Sequence, residues 1–339
     1  MYWLITNRNV LADGFGGDFA DLTFWTAPPG KDPAVKASWT QVTRDQFQAA
    51  LIAVANQFPD PLQTTPEAQK HVTFLVHGYN NTWAAAMGLY REVVANLYAG
   101  PNSLGECISF DWPSKGDVLG YLPDRGEARR SAADLATVIG DLYDWLLKKQ
   151  YDAAKNPQDA CRAKTSLIAH SMGNYVLENA MNYAWTQKNK PLLVSLLHEA
   201  LMVAADVDND LFKAGETVQS GDGEGISNLT YRVTALYSGR DAVLGASAGL
   251  KHFGKRRLGR SGLDRTYPLP DNVWDIDCSQ LINPNVDGMS VHSSYFHTDQ
   301  SNCYGLMRAL LQGIDRSVLV ASDLIPTALV KHQVAGSPT

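Results

Sequence analysis

Thr165-Ser166-Leu167-Ile168-Ala169-His170-Ser171-Met172-Gly173-Asn174 opens as a short apolar run, long enough for one buried strand. The run turns at Ser171. Val176, Leu177, Ala180, Met181 and Ala184 then recur at the spacing of an amphipathic helix. A strand, a sharp turn bearing serine and a helix form the layout that holds a serine hydroxyl out of a sheet on a strained turn. Strand and helix approach closely there, so small residues are required two before and two after the serine. Ala169 and Gly173 meet that requirement, with alanine in place of the more usual glycine. The helix N-terminus directly after Ser171 offers unbonded backbone N–H groups, which suit a developing oxyanion. A serine flanked by small residues also arises by chance, so its weight depends on the rest of the chain.

On either side, apolar strand-like runs alternate with helical patterns. Residues 2–6 and 22–26 read as two early strands, with Gly14, Gly16 and Gly17 as a loop between them. No helix follows those glycines directly, so a plain turn is expected rather than a phosphate-binding loop. Thr43 and Gln46 form a capping box for a helix carrying Phe47, Leu51, Val54 and Phe58. Strand 72–76 runs into His77-Gly78-Tyr79-Asn80-Asn81, and strand 107–110 ends in Asp111-Trp112-Pro113-Ser114-Lys115-Gly116. A loop through Tyr121 and Asp124 leads to a long helix with Leu135, Val138, Leu142 and Trp145 on one side. Later strands cover 200–205, 231–237 and 273–278, and a last helix carries Leu306, Leu310 and Leu311. Nearly continuous apolar strands alternating with helices imply an α/β fold, a mostly parallel central sheet with helices on both faces. Residues 209–228 are a modest polar excursion, so a small lid or none is expected.

One domain over 1–339 is the economical organisation, with its core at about 70–315, N-terminal strands and a helix in 1–69, and a loose tail over 330–339. The hydrophobic fraction of 45% and the charged fraction of 19% fit a soluble globular protein. A net charge of −6 offers no basic excess for nucleic acid. No apolar run approaches the length needed to cross a bilayer. Met1 to Arg8 lack a basic stretch followed by a long apolar core, so they do not read as a signal peptide. Cys107, Cys161, Cys278 and Cys303 lack CxxC spacing, which argues against structural zinc and for reduced thiols in the cytoplasm. His77, His170 and the carboxylates lack HExxH-like spacing, so no metal and no cofactor are expected.

An activated serine needs a base, and the base needs an orienting acid. On a sheet of this kind the acid follows the serine and the histidine comes last. Asp241, in the turn after strand 231–237, fits the acid best; Asp206 is the main alternative, with Asp208 and Asp210 behind it. Among the histidines that follow, His292 is preferred, in a loop between the last strand and the last helix, and His297 stays open. His252 lies among Lys251, Lys255, Arg256 and Arg257, a segment that reads as a solvated basic loop, and His332 lies in the tail. The oxyanion hole needs two N–H donors. Met172, after the serine, and Tyr79, after the permissive Gly78, are the candidates. Tyr79 and Trp112 are expected to line the substrate pocket, while His77 and His170 are expected to be structural.

Together, Phe74 to Asn80, Phe110 to Ser114 with Tyr121 and Asp124, and Ala169 to Gly173 resemble the α/β-hydrolase superfamily. More narrowly they resemble a bacterial serine-hydrolase family long designated a domain of unknown function. Asp206 to Asp208, Tyr237 to Asp241 and His292 to Tyr295 match its later landmarks, so the likeness spans most of residues 70–312. The resemblance implies the α/β-hydrolase fold and a Ser–Asp–His hydrolase without a metal. The expected activity is that of a carboxylesterase acting on small or short-acyl esters through an acyl-enzyme. An acyltransferase or thioesterase with the same groups, or a non-catalytic binding protein on this fold, is the alternative.

Overall fold

The computed structural model describes residues 1–115, 121–187, 195–213, 223–252 and 254–322. Gly116, residues 214–222 of the polar excursion, His332 and the 330–339 tail lie outside the described residues. Among the described residues, nine strands form one sheet: β1 (Tyr2–Val10), β2 (Phe15–Ala27), β3 (Thr40–Val42), β4 (Lys70–Val76), β5 (Gly105–Asp111), β6 (Ala163–His170), β7 (Leu197–Val203), β8 (Thr230–Tyr237) and β9 (Val273–Asp277). Their spatial order is β3-β2-β1-β5-β4-β6-β7-β8-β9. β1 to β3 pair antiparallel with one another, and every pairing from β1–β5 to β8–β9 is parallel.

Parallel registry brings the carboxyl ends of the strands to one edge, where α/β sheets bind ligands. Val76 is level with Ala169, His170 with Val203, Val203 with Leu236 and Tyr237 with Asp277. The segments after β4, β6, β7, β8 and β9 therefore all leave the sheet side by side.

Helices cover both faces. On one, α1 (Arg44–Ala55), α3 (Tyr121–Lys155) and α4 (Gly173–Gln187) bury Phe47, Leu135, Ile139, Val176 and Met181. On the other, α2 (Trp83–Leu97) and α9 (Cys303–Leu311) bury Met87, Tyr90, Val93, Leu306 and Leu310. The shorter helices are α5 (Glu224–Leu229), α6 (Ala242–Lys251), α7 (Leu258–Ser261), α8 (Val291–Ser294) and α10 (Arg316–Ala321). The Thr43–Gln46 capping box is present at the start of α1. The cysteines are free thiols. Among the described residues, no helix is long and apolar enough to cross a membrane.

Three expected boundaries are corrected. β1 and β2 run further than the apolar stretches suggested, because the hairpin closes at Leu11 N–H to Gly14 C=O (2.9 Å) and Gly16 and Gly17 belong to β2. The loop expected through Tyr121 and Asp124 is already the first turn of α3. Pro123 is tolerated there because first-turn N–H groups have no helical partner. His292 stands on the single turn of α8 rather than in an open loop.

Candidate active site

Ser171 links β6 to α4 with a φ of +53°, a conformation unusual for any residue with a side chain. Such a turn costs on the order of 1–3 kcal/mol and persists only where its surroundings over-determine it. They do so here. Ser171 N–H donates to Val203 C=O (3.0 Å), and Ser171 C=O accepts from the N–H groups of Asn174 and Asp206 (3.1 Å each). The Asn174 amide donates to Ala169 C=O (3.0 Å) and Ser171 C=O (3.1 Å), stitching the turn from below. Gly173 is required: a Cβ there would lie 2.5 Å from the carbonyl oxygens of both Val76 and His77.

The Ser171 hydroxyl lies 2.8 Å from His292 Nε2, and His292 Nδ1 lies 2.7 Å from Asp241 Oδ2. A carboxylate can only accept, so Nδ1 carries the proton towards Asp241 and Nε2 is left to accept from Ser171. Asp241 is fully buried and also caps α6, its Oδ1 accepting from Leu244 N–H at 2.9 Å. His297 is exposed, beyond the end of α8 at Ser294.

The other aspartates are occupied elsewhere. Asp206 Oδ1 accepts from Arg257 Nε (2.8 Å) and Ser247 Oγ (3.0 Å), and Oδ2 accepts from the Tyr121 hydroxyl (2.8 Å). Burial opposes the charge on Asp206, but Arg257 and these donors outweigh it and hold its carboxyl below the usual range. Asp208 pairs with Arg257 and, at 2.9 Å, with Lys255. Asp210 is half-buried. The expected solvated basic loop holds at Lys255 and Arg256, which are exposed, and is corrected beyond them: Arg257 is fully buried between two aspartates, and Arg260 donates to Asp241 C=O. His252 is half-buried with Nε2 against the Tyr121 hydroxyl, not free in solvent. An unpaired charge is costly inside a protein, which explains why Arg257 turns inward where Asp206 and Asp208 await it.

The strand end after β4 leans on the serine. A Cβ on Gly78 would lie 2.6 Å from Ser171 Cβ, so only glycine lets this loop approach. Asn80 has a φ of +59°, and the Asn81 amide donates to Gly78 C=O (3.0 Å) and Tyr79 C=O (3.3 Å). These bonds hold the loop's carbonyls on one side. Tyr79 is partly buried, with its ring edge-on to Tyr121 at 5.4 Å. Met172 is fully buried at the entry to α4.

Trp112 is corrected as a pocket residue. It is 0% exposed, stacks on the His77 ring at 5.3 Å, and its indole N–H donates to His77 C=O at 2.8 Å. It props the loop from beneath. His77 is buried, with Nε2 2.8 Å from Asp111 Oδ1 and Nδ1 2.9 Å from Gly78 C=O. Arg8 Nε completes the stack at 3.0 Å from Asp111 and also donates to Gly16, Ser114 and Asn81 carbonyls. Burial works against the Asp111 charge, but Arg8 and His77 together keep its carboxyl below the ordinary range. His170 Nε2 lies 2.9 Å from His292 C=O, its ring against Phe296. Burial first, then the neighbouring His292, pushes its pKa down to about 3. The sequence signal for Arg8 is weak: it is a charged residue at the end of an apolar run that forms an interior strand, where a charge calls for a buried partner.

The family model described as "Alpha/beta hydrolase of unknown function (DUF900)" matches residues 53–267. An uncharacterised protein of Nostoc sp. (strain PCC 7120) is 27% identical over 291 residues, covering 68% of this chain and 71% of its own. Among solved structures, an esterase of Pyrobaculum calidifontis is similar over 80% of this chain and 92% of its own, at 10% identity and a TM-score of 0.34. A hormone-sensitive lipase from a metagenome library covers the same shares at 13% identity and a TM-score of 0.32. Structural likenesses this distant carry no argument about activity.

Proposed function

This chain belongs to that family of α/β hydrolases of unknown function, and from that premise we propose that it is a serine hydrolase cleaving carboxylic esters. The observation that carries the proposal is the unbroken relay of Ser171 Oγ, His292 and Asp241, with contacts of 2.8 and 2.7 Å. In this reading Ser171 attacks the acyl carbon as His292 Nε2 takes its proton. The imidazolium formed is held by Asp241 and then protonates the leaving alcohol. Water, activated by the same imidazole, hydrolyses the acyl-enzyme and returns Ser171.

The backbone N–H groups of Met172 and Tyr79 are proposed to bind the tetrahedral oxyanion. Two features support this: the start of α4 directly after Ser171, and the near-contact of Gly78 with Ser171. Tyr79 is proposed to border the substrate. His292 keeps 14% of its side chain open to solvent, which favours small or short-acyl esters reaching the site directly. We take the whole chain to act as one catalytic domain.

A chain-length series of p-nitrophenyl esters tests this reading, assayed with the purified protein beside Ser171→Ala. Hydrolysis that peaks at short acyl chains and is lost in the variant, with the fold intact by circular dichroism, is the expected result. Equal rates for both proteins remove Ser171 from the reaction.

A further inference from the structure

His292 sits on a single helical turn inside the irregular segment between β9 and α9. A four-residue helix has too little internal hydrogen bonding to hold an imidazole still. Its support must come from outside. The neck of the segment is closed by the Ile282–Ser301 bridge, by Asn283 N–H to Gln300 C=O (2.7 Å) and by Asn302 N–H to Leu281 C=O (3.0 Å).

Further support comes from His170 Nε2 on the His292 carbonyl (2.9 Å), from the burial of Val291 and Tyr295, and from the turn that carries Asp241. Gly239 N–H donates to Ser279 Oγ (3.1 Å), and Ala242 N–H donates to Gly288 C=O (2.9 Å). Between them stands Arg240, one residue before the acid. Its Nη1 donates to Ile282 C=O (3.1 Å) and Ser279 C=O (3.4 Å). Its Nη2 donates to Val286 (2.7 Å), Pro284 (3.0 Å) and Asn283 (3.2 Å) carbonyls. Among the described residues no carboxylate within ion-pair distance accompanies Arg240. The guanidinium is spent on carbonyl oxygens of the chain leading to His292. Gly288 completes the clasp: a Cβ there would lie 3.1 Å from Ala242 Cβ and 3.2 Å from Arg240 C=O.

We infer that Arg240 is a positioning residue, clasping the segment that bears His292 onto the turn that bears Asp241 and so fixing the Asp241–His292 contact. The inference rests on the triad reading given above. Five carbonyls converge on one planar cation, a pattern a guanidinium fork can satisfy and an ammonium can satisfy only in part. Without the clasp the segment is held less firmly against the Asp241 turn, and a displacement of about 1 Å at reacting groups costs on the order of 100-fold in rate.

The test compares wild type, Arg240→Lys and Arg240→Ala. A fluorophosphonate counts reactive serines and times their labelling, and a p-nitrophenyl ester gives kcat per labelled site and KM. The expected result for Arg240→Ala is labelling to completion at a rate about 10- to 100-fold slower, with kcat per labelled site falling in step and KM within about twofold. Arg240→Lys should fall between, and millimolar methylguanidinium should raise the Arg240→Ala rate. A purely structural role would lower the melting temperature and leave kcat per labelled site untouched, and that outcome overturns the inference. Where Arg240→Ala does not fold, the same criterion is read on Arg240→Lys. A wild type that neither labels nor hydrolyses would instead remove the triad reading itself.

Discussion

The backbone N–H of Asp206 donates to the carbonyl of Ser171 at 3.1 Å, while the Asp206 carboxylate turns away to Arg257, Tyr121 and Ser247. Asp206 thus holds the serine turn through its main chain and anchors a buried cation through its side chain. Asp241, one strand further along the sheet, is the carboxylate within reach of His292.

These two aspartates should separate cleanly under mutation. Asp241→Asn is expected to lower kcat by about 10³- to 10⁴-fold with little loss of stability, since the amide no longer holds the imidazole with its accepting nitrogen towards Ser171. Asp206→Asn weakens the pairing of fully buried Arg257 and should cost about 3–5 kcal/mol of unfolding free energy, with kcat per folded molecule within a few-fold of wild type. Urea unfolding alongside ester turnover checks both, and the reverse pattern would exchange their roles.

Gly78→Ala places a methyl 2.6 Å from Ser171 Cβ and 3.1 Å from His170 C=O. The loop must retreat from the serine, taking Tyr79 N–H with it. A fall in kcat of about 100-fold or more is expected, with KM changed much less. Unchanged turnover would show that this loop takes no part in stabilising the oxyanion.

Arg8→Met should be a stability variant. Asp111 is fully buried, and Arg8 is the guanidinium beside it. Removing that partner leaves a buried carboxylate with only His77 and a long contact from the Thr6 hydroxyl, at an expected cost of about 3–5 kcal/mol. The double variant Arg8→Met with Asp111→Leu should recover part of the loss, read from urea midpoints. A single variant as stable as wild type would contradict the buried-pair account.

His170 sets a pH dependence of stability. Its folded pKa of about 3 lies below the unfolded value near 6.5, so between those limits the unfolded chain binds the extra proton. Its contribution to stability is full above pH 6.5 and is lost as the pH falls towards 3. Buried His71, also pushed down to about 3 by burial, adds a slope of the same sign. In His170→Leu the stability curve between about pH 4 and 6 should flatten by roughly one proton. A variant curve parallel to that of the wild type would show that His170 titrates normally in the folded protein.

Much of this arrangement is legible in the sequence because local rules and the global fold agree. The apolar run into Ser171 and the helical spacing after it specify the serine turn, and the alternation of apolar strands with helices specifies the parallel sheet. The glycines at 78 and 173 stand where the backbones come within contact of Ser171 and β4. Other features depend on partners distant in the chain. Within the basic segment 251–260, Arg257 and Arg260 look as solvated as Lys255 and Arg256 until Asp206, Asp208 and the Asp241 carbonyl are found against them. Trp112 looks like a pocket residue until it is found stacked under His77. Arg8 and Arg240 give no periodic signal, since Arg8 gathers carbonyls from three separate segments and Arg240 those of one irregular segment after β9.

Mapping a covalent adduct shows whether Ser171 is a nucleophile primed by His292. The purified protein would be treated with a fluorophosphonate, digested, and the modified peptide sequenced by mass spectrometry. One phosphonylated residue, Ser171, is expected, with labelling abolished in Ser171→Ala and slowed by several orders of magnitude in His292→Ala. An adduct on another residue, or labelling of Ser171 at an undiminished rate when His292 is removed, would contradict it.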